Sequence, residues 1–206
     1  MEKKSQTGHG TVSPARAAAF DILLRVERES SYASELLHSR VYQRLSNNDH
    51  ALTTELVMGV LRWRSQLDSE LTPASAQPLA KLDLEVLTAL RLALYQLRRL
   101  TRVPARAAIY ESVELVKCVR KRSAASFVNA VLRSLARVSS SGAPAISNSS
   151  ATILAATSAH PLWLVESWSK TYGLDIVSHI CQHDQSVPET AIRLRHPAAQ
   201  EQLRSE

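Results

Sequence analysis

The chain has 206 residues, of which 45% are hydrophobic, and a formal net charge of +6. This length allows one domain, or one and part of a second, and the hydrophobic fraction is ordinary for a packed globular core. Five glycines and two distant cysteines provide neither the glycine-rich loop of nucleotide-binding folds nor a disulfide framework. No apolar run is long enough to cross a bilayer, and we expect a cytoplasmic protein.

The first predicted elements are helices that follow a polar leader. Residues 1–12 are expected to be disordered, and Ser13 and Pro14 then form a typical helix start, as N-cap and first helical residue. Two more helices are predicted before a loop at residues 72–78. In the second of them, Gly59 lowers the helix propensity, which predicts a close crossing with another helix at that point.

The stretch from Leu82 to Leu100 is apolar over most of its circumference. A helix of this kind must be covered on several sides, so we predict that it is the central helix of an all-α bundle. Its polar residues form a narrow stripe through Glu85, Thr88, Arg91, Tyr95 and Arg98.

Two further bundle helices are predicted after Pro104, which is placed at the first turn of the next helix. The first of these has a solvent-facing stripe of Arg106, Tyr110, Glu114, Lys117 and Lys121. Ser123 is expected to cap the second, along which Arg122, Asn129, Arg133 and Arg137 follow a common line.

The composition changes after the predicted bundle, which spans residues 13–138. Residues 139–157 are rich in Ser and Ala and low in charge, which is typical of a linker. Residues 158–206 are interpreted as the incomplete beginning of a second domain, with two helices on either side of Gly173 and a strand at residues 190–195. The predicted fold class is therefore an all-α bundle, followed by a linker and a short α(+β) segment.

His179, Cys181 and His183 form a candidate metal site. On a helix the two histidines share a face, but Cys181 lies almost opposite, and two ligands do not complete a zinc coordination sphere. Cys118 falls on the inward side of its predicted helix, which favours a small buried side chain over a nucleophile. We therefore predict no metal site and no catalytic residue.

Positive charge is concentrated in residues 91–137, which contain eleven basic and two acidic residues, a net charge of +9. A localised basic surface is expected of a nucleic-acid-binding protein, and most of these residues are arginines, whose planar guanidinium suits phosphate. Trp63 lies in an apolar helix stripe, and a core position is favoured over a stacking platform. We predict phosphate contacts by Arg102, Arg106, Lys117, Arg120, Lys121, Arg122 and Arg133.

Several motifs, in this order, resemble one family. They are SPAR from Ser13, ELVMGVLRWR from Glu55, LRLALYQL from Leu90, RVP from Arg102 and FVNAVLR from Phe127. Residues 13–138 thereby resemble the NusB-like RNA-binding domain that precedes the catalytic domain in bacterial 16S rRNA cytosine-5 methyltransferases, the RsmB or Sun/Fmu family. HPLWLV from His160, with Trp168, is similar to that family's entry into its methyltransferase region.

The resemblance implies a NusB-like all-α bundle with 16S rRNA as partner. For complete members it also implies S-adenosylmethionine as cofactor and two cysteines that act on the pyrimidine ring. Cys118 and Cys181 match neither cysteine motif, and the family's cofactor loop would lie beyond residue 206. We therefore expect this chain to bind structured RNA as the recognition portion of such an enzyme, and to be catalytically incomplete.

Two alternatives stay open on the sequence. A free-standing antitermination factor of the NusB type would bind RNA together with a small protein partner. The segment with Trp163 and Trp168 argues against it, because a lone regulator has no need of that segment. The other alternative is a structural bundle whose basic surface docks an acidic protein, and protection of residues 120–133 by RNA would distinguish the two.

Overall fold

The computed structural model describes residues 12–137 and 150–186 of the chain. These residues form helices without any strand, and none of the described helices has the length and apolarity to span a membrane. The strand predicted at residues 190–195 lies outside the described residues. The α-helices are α1 Pro14–Glu29, α2 Ala33–Leu37, α3 Asn47–Ala74, α4 Leu84–Arg99, α5 Ala105–Cys118, α6 Ala125–Arg137, α7 Ala151–Ser158, α8 Leu162–Tyr172 and α9 Leu174–Gln185.

Helix α4 is the centre of the bundle, and it contacts α1, α3, α5 and α6. Its leucines at positions 90, 92 and 94 have no solvent exposure, and they belong to one hydrophobic core that helices α1–α6 share. The prediction of a central helix within an all-α bundle is therefore confirmed. A helix that is rich in leucine and apolar on nearly every side must be covered on every side, and the centre of the bundle provides this cover.

The polar stripe predicted on α4 is largely covered as well. Thr88, Arg91 and Tyr95 are all buried, because α3 packs along this side of the helix. The Arg91 guanidinium donates from Nε and Nη2 to the two carboxylate oxygens of Asp68 on α3, each at 2.7 Å. A bidentate pair of this kind satisfies a buried arginine, so the stripe can face a neighbouring helix.

Gly59 permits the close approach of α3 and α4 that its position predicts. A Cβ atom at Gly59 would lie 2.0 Å from Cζ of Tyr95, far inside van der Waals contact. The Tyr95 hydroxyl donates to the Glu55 carboxylate at 2.5 Å, one helical turn away along α3. Burial raises the pKa of Tyr95, so the phenol stays protonated and keeps this hydrogen bond.

Helix α1 begins where the sequence predicts, and two side chains at its start form bonds to other helices. Ser13 is the N-cap residue, yet its hydroxyl donates to the Glu111 carboxylate of α5 and leaves the α1 backbone without a side-chain cap. Arg16 is buried and forms an ion pair with Glu111 at 2.9 Å. Its Nε also donates to Gln96 Oε1 on α4 at 2.6 Å.

Helices α7–α9 form a second, smaller core of Leu154, Ala155, Val165, Val177 and Cys181. Gly173, with φ of +79°, separates α8 from α9, so the two helices predicted on either side of it are confirmed. The last residues of the predicted linker lie within a helix. They form α7, because Leu154 and Ala155 have apolar neighbours to pack against on the other two helices.

Gln66 on α3 joins the bundle to α7. Its amide nitrogen donates to the backbone carbonyls of Thr157 at 2.5 Å and Ala156 at 3.3 Å, and its Oε1 accepts from Arg99 at 3.0 Å. The side chain thereby occupies carbonyls at the C-terminal end of α7, which have no partner within the helix. Gln66 is a specific contact between the two helical units.

Replacing Gln66 by alanine is expected to loosen α7–α9 from the bundle without unfolding either. Loss of hydrogen bonds worth about 0.5–1.5 kcal/mol each predicts backbone amide exchange in α7 that is roughly 5- to 50-fold faster. Hydrogen–deuterium exchange with peptide resolution measures this. Replacing Gln182, an exposed glutamine of α9, by alanine is the matched control, and equal acceleration in both variants would exclude a specific role for Gln66.

Candidate nucleic-acid interface

Helices α5 and α6 pack against each other and both turn an apolar face towards the core. On α5 this face includes Leu115 and Val116, and on α6 it includes Val128 and Leu132, all of them buried. The period of 3.6 residues leaves the remaining sides of both helices at the surface, where polar and charged residues recur at intervals of three and four. These outer sides border a groove.

The groove between α5 and α6 has a volume of about 610 Å³. Its basic lining residues are Arg106 and Lys117 from α5 and Arg133 and Arg137 from α6. The other lining residues are Ile109, Tyr110, Val113, Glu114, Asn129 and Ala136. We call this site the α5–α6 groove. It combines cationic walls with apolar and aromatic surface.

The charges of the α5–α6 groove are only partly neutralised. Lys117 Nζ pairs with Glu114 Oε1 at 2.7 Å, while Arg133 Nε donates to the neutral Asn129 amide at 3.0 Å. Neither Arg106 nor Arg137 has an ion-pair partner among the described residues. The groove therefore retains a surplus of positive charge that an external polyanion would neutralise.

Glu111, the other acidic residue of the basic segment, does not line the groove. Its carboxylate accepts from the backbone N–H of Ser13 at 2.8 Å and pairs with the buried Arg16. Only 14% of its side chain is exposed. The negative charge of Glu111 is therefore used inside the bundle, which leaves Glu114 as the carboxylate among the described lining residues of the groove.

The seven predicted phosphate contacts fall into two groups. Arg106, Lys117 and Arg133 line the groove together, whereas Arg102, Arg120, Lys121 and Arg122 are not among its described lining residues. Arg102 is exposed in the turn before α5, and Arg120 and Arg122 are exposed in the connection between α5 and α6. Lys121 bonds to Asp83 at 3.0 Å, which raises the pKa of the lysine.

Three further arginines of the basic segment have structural partners. Arg91 is paired with Asp68, and Arg98 donates from Nε to Glu70 at 2.7 Å. The Arg99 guanidinium lies 3.6 Å from the centre of the Trp63 ring, and burial lowers its pKa. This stacking is a cation–π contact within the protein, so the ring face of Trp63 is occupied. The eleven basic residues therefore do not form one outer surface.

Sequence reasoning placed Tyr110, Asn129 and Arg137 on surface stripes but did not select them as binding residues. The available signal was spacing: Tyr110 follows Arg106 by four residues, and Asn129, Arg133 and Arg137 follow one another at the same interval. Residues four apart lie on one helical face. That α5 and α6 present these two faces to a common groove depends on how the helices pack.

The two cysteines lie in different environments, one exposed and one buried. Cys118, expected to be buried, is exposed at the last residue of α5, while Cys181 is buried in the small core, where burial raises the pKa of its thiol. The prediction for Cys118 is therefore wrong. Among the described residues, no group of three or more His, Cys, Asp or Glu side chains is arranged to hold a metal ion.

The described glycines do not fit an S-adenosylmethionine site. A methyltransferase of the α/β type binds its cofactor at a glycine-rich turn between a strand and a helix. Gly59 is inside α3 against Tyr95, and Gly173 is the junction of α8 and α9. Neither of these two glycines lies in a turn between a strand and a helix, so neither fits such a site.

Comparisons of the sequence with known proteins agree with this architecture. Residues 13–137 match the model of the NusB family. A probable ribosomal RNA small subunit methyltransferase B from Bacillus subtilis (strain 168) is 36% identical over 185 residues, which cover 89% of this chain and 41% of the relative. A transcription antitermination protein NusB from Vibrio campbellii (strain ATCC BAA-1116) is 37% identical over 102 residues, or 49% of this chain and 66% of the relative. The chain thus spans less than half the length of the methyltransferase.

Solved structures show the same arrangement of helices. Antitermination factors NusB and NusE in complex with dsRNA include a chain with a TM-score of 0.54 and 25% identity, covering 60% of this chain and 93% of that one. NusB from T. maritima has a TM-score of 0.57 at 22% identity, covering 62% and 94%, which establishes likeness of fold. Since the family match takes in α1–α6 entirely and extends over more than half of the sequence, the chain belongs to the NusB family.

Proposed function

We propose that this chain binds ribosomal RNA through the α5–α6 groove and serves as the RNA-recognition portion of a 16S rRNA cytosine-5 methyltransferase. The observation that carries the proposal is the surplus of cationic side chains in one groove, with Arg106 and Arg137 lacking ion-pair partners among the described residues. RNA phosphates supply the matching charge. The wider enzyme would act in the cytoplasm and take its methyl group from S-adenosylmethionine.

The extent of the sequence similarity favours a methyltransferase over a free-standing antitermination factor. The similarity to the Bacillus subtilis relative extends over 185 residues, more than α1–α6 contain, so it includes part of the chain that follows the bundle. The similarity to the Vibrio campbellii NusB covers 102 residues. The contact of Gln66 with α7 gives the later helices a defined place beside the bundle, as a recognition module attached to another domain requires.

RNA binding by the groove predicts a specific dependence on salt. Replacing Arg106, Arg133 and Arg137 together by alanine is expected to weaken binding to a 16S rRNA fragment by about tenfold or more. The slope of log K against log salt concentration should fall by about 2–3, because each phosphate contact releases about 0.7–0.9 counterions. Fluorescence anisotropy titrations between low and moderate salt measure both quantities.

Two other sets of variants serve as controls for this experiment. Arg44 is exposed between α2 and α3, and its replacement by alanine changes the net charge without altering the groove. Replacing Arg120 and Arg122 tests the wider set of contacts predicted from sequence. A triple variant that keeps the affinity and slope of the parent protein would refute the groove as the binding site. Stoichiometric capture of a small ribosomal protein would instead support the antitermination alternative.

A further inference from the structure

Tyr110 is the aromatic residue in the lining of the α5–α6 groove, and it is unusually accessible. Tyr110 is 50% exposed, whereas Ile109 and Val113, which also line the groove, contact the core. Arg106 precedes it by one helical turn and Glu114 follows it by one turn, so the ring stands between charged groups on the outer ridge of α5. An exposed aromatic ring in a cationic groove is a typical platform for stacking a nucleobase.

The groove has a volume suited to a single base and not to a continuous RNA duplex. Sites that enclose most of a small organic molecule have volumes of about 300–1,000 Å³, and this groove, at about 610 Å³, is within that range. A continuous A-form duplex keeps its bases stacked inside and presents phosphates and a shallow minor groove over a broad surface. A duplex can therefore contact the rim of the groove, but only a base that has left the stack can enter it.

The polar lining supplies contacts for the edge of such a base. Asn129 Oδ1 accepts from Arg133, which leaves the amide –NH₂ able to donate to a base acceptor. Glu114 pairs with Lys117 through Oε1, so Oε2 retains capacity to accept from an exocyclic amino group. With Tyr110 below the base and arginines beside the sugar and phosphates, the lining offers stacking, edge recognition and charge in one place.

We infer that the α5–α6 groove holds an unpaired nucleotide of the RNA, with its base stacked on Tyr110. This inference rests on the proposed function and specifies the RNA: a stem with a loop or bulge, and not an uninterrupted duplex. Recognition of an unpaired nucleotide orients the RNA on the bundle, which phosphate contacts alone do not do.

The test compares two RNA hairpins of equal length, each closed by the same non-nucleotide linker so that no loop base is present, one with a bulged nucleotide in its stem and one fully paired. Tyr110→Ala is expected to weaken binding of the bulged hairpin by roughly 5- to 100-fold, the effect of losing one base–aromatic stack. Tyr110→Phe keeps the ring and should stay within about twofold of the parent protein. Binding of the paired hairpin, and the salt slope for both hairpins, should not change in either variant, since no charge is altered.

Tyr32 provides the matched control, because it is also an exposed tyrosine, at 72%, and lies outside the groove lining. Tyr32→Ala should bind both hairpins as the parent protein does. Equal binding of the bulged hairpin by Tyr110→Ala and the parent protein would overturn the inference while leaving RNA binding by the groove intact. Failure of the parent protein to bind either hairpin would instead refute the proposed function.

Discussion

Replacing Gly59 by alanine is expected to lower the free energy of unfolding by about 2–4 kcal/mol. The added methyl group would sit 2.0 Å from Cζ and 2.2 Å from the hydroxyl oxygen of Tyr95. Tyr95 is 4% exposed and packed in the core, and a displaced ring would lose its hydrogen bond to Glu55. Overpacking costs about 1–3 kcal/mol, and loss of the hydrogen bond to the charged Glu55 costs about 1.5–3 kcal/mol. The higher helix propensity of alanine offsets about 1 kcal/mol of this loss.

Urea unfolding followed by circular dichroism measures this loss. Met58, an exposed neighbour on α3, provides the control, and its replacement by alanine should change the free energy of unfolding by less than about 0.5 kcal/mol. Combining Gly59→Ala with Tyr95→Leu should cost less than the two single substitutions added together, because leucine has no atoms at the clash position. An unchanged or raised stability in Gly59→Ala would show that the two helices separate easily.

The second large effect is expected from Glu111→Ala, with a loss of about 3 kcal/mol of unfolding free energy. This substitution leaves the Arg16 guanidinium buried without a counterion and removes the acceptor of the Ser13 N–H. The side chains of Arg16 and Glu111 are only 10% and 14% exposed, so water cannot replace the lost partner. Breaking one side of a buried ion pair typically costs about 3–5 kcal/mol.

A double-mutant cycle distinguishes the cost of a stranded charge from the value of the ion pair. The cycle consists of Arg16→Met, Glu111→Leu and the double variant; the double variant removes both charges, and we expect it to be much more stable than Glu111→Leu alone. Glu29→Ala is the exposed counterpart: its ion pair with Arg25 lies at the surface of α1, and no measurable change is expected. A cost for Glu111→Ala no greater than that for Glu29→Ala would contradict the buried network.

Ion pairs such as that of Glu111 also explain why the α5–α6 groove is cationic. Three acidic residues are engaged in ion pairs away from the groove: Glu111 with Arg16, Asp68 with Arg91 and Glu70 with Arg98. Arg91 and Arg98 are taken out of the surface by the same pairs. Arg106, Arg133 and Arg137 are left towards solvent, and these are the residues whose removal should change the salt dependence of RNA binding.

The sequence predicted which segment carries the candidate site, but not which of its basic residues line the groove. It located the basic segment and placed Arg106 and Arg133 on outward helical faces, which follows from the apolar period of α5 and α6. It did not distinguish Arg91 from Arg133, although one is buried against Asp68 and the other lines the groove. Both arginines follow apolar residues in a predicted helix. They differ because α3, a separate helix, covers Arg91 and does not cover Arg133.

By itself, the sequence determined the helical class, the central position of α4, the close crossing at Gly59 and the likeness to NusB-type domains. The first three depend on residue types and spacings within a single helix, and the likeness depends on several short motifs that follow one another in order along the chain. Only the tertiary structure decided that Arg16 and Arg91 are internal, that α7 forms within the predicted linker, and that α5 and α6 share a groove. The reason is physical: the partner of a polar side chain lies on another helix, and the packing of the two helices determines whether they meet.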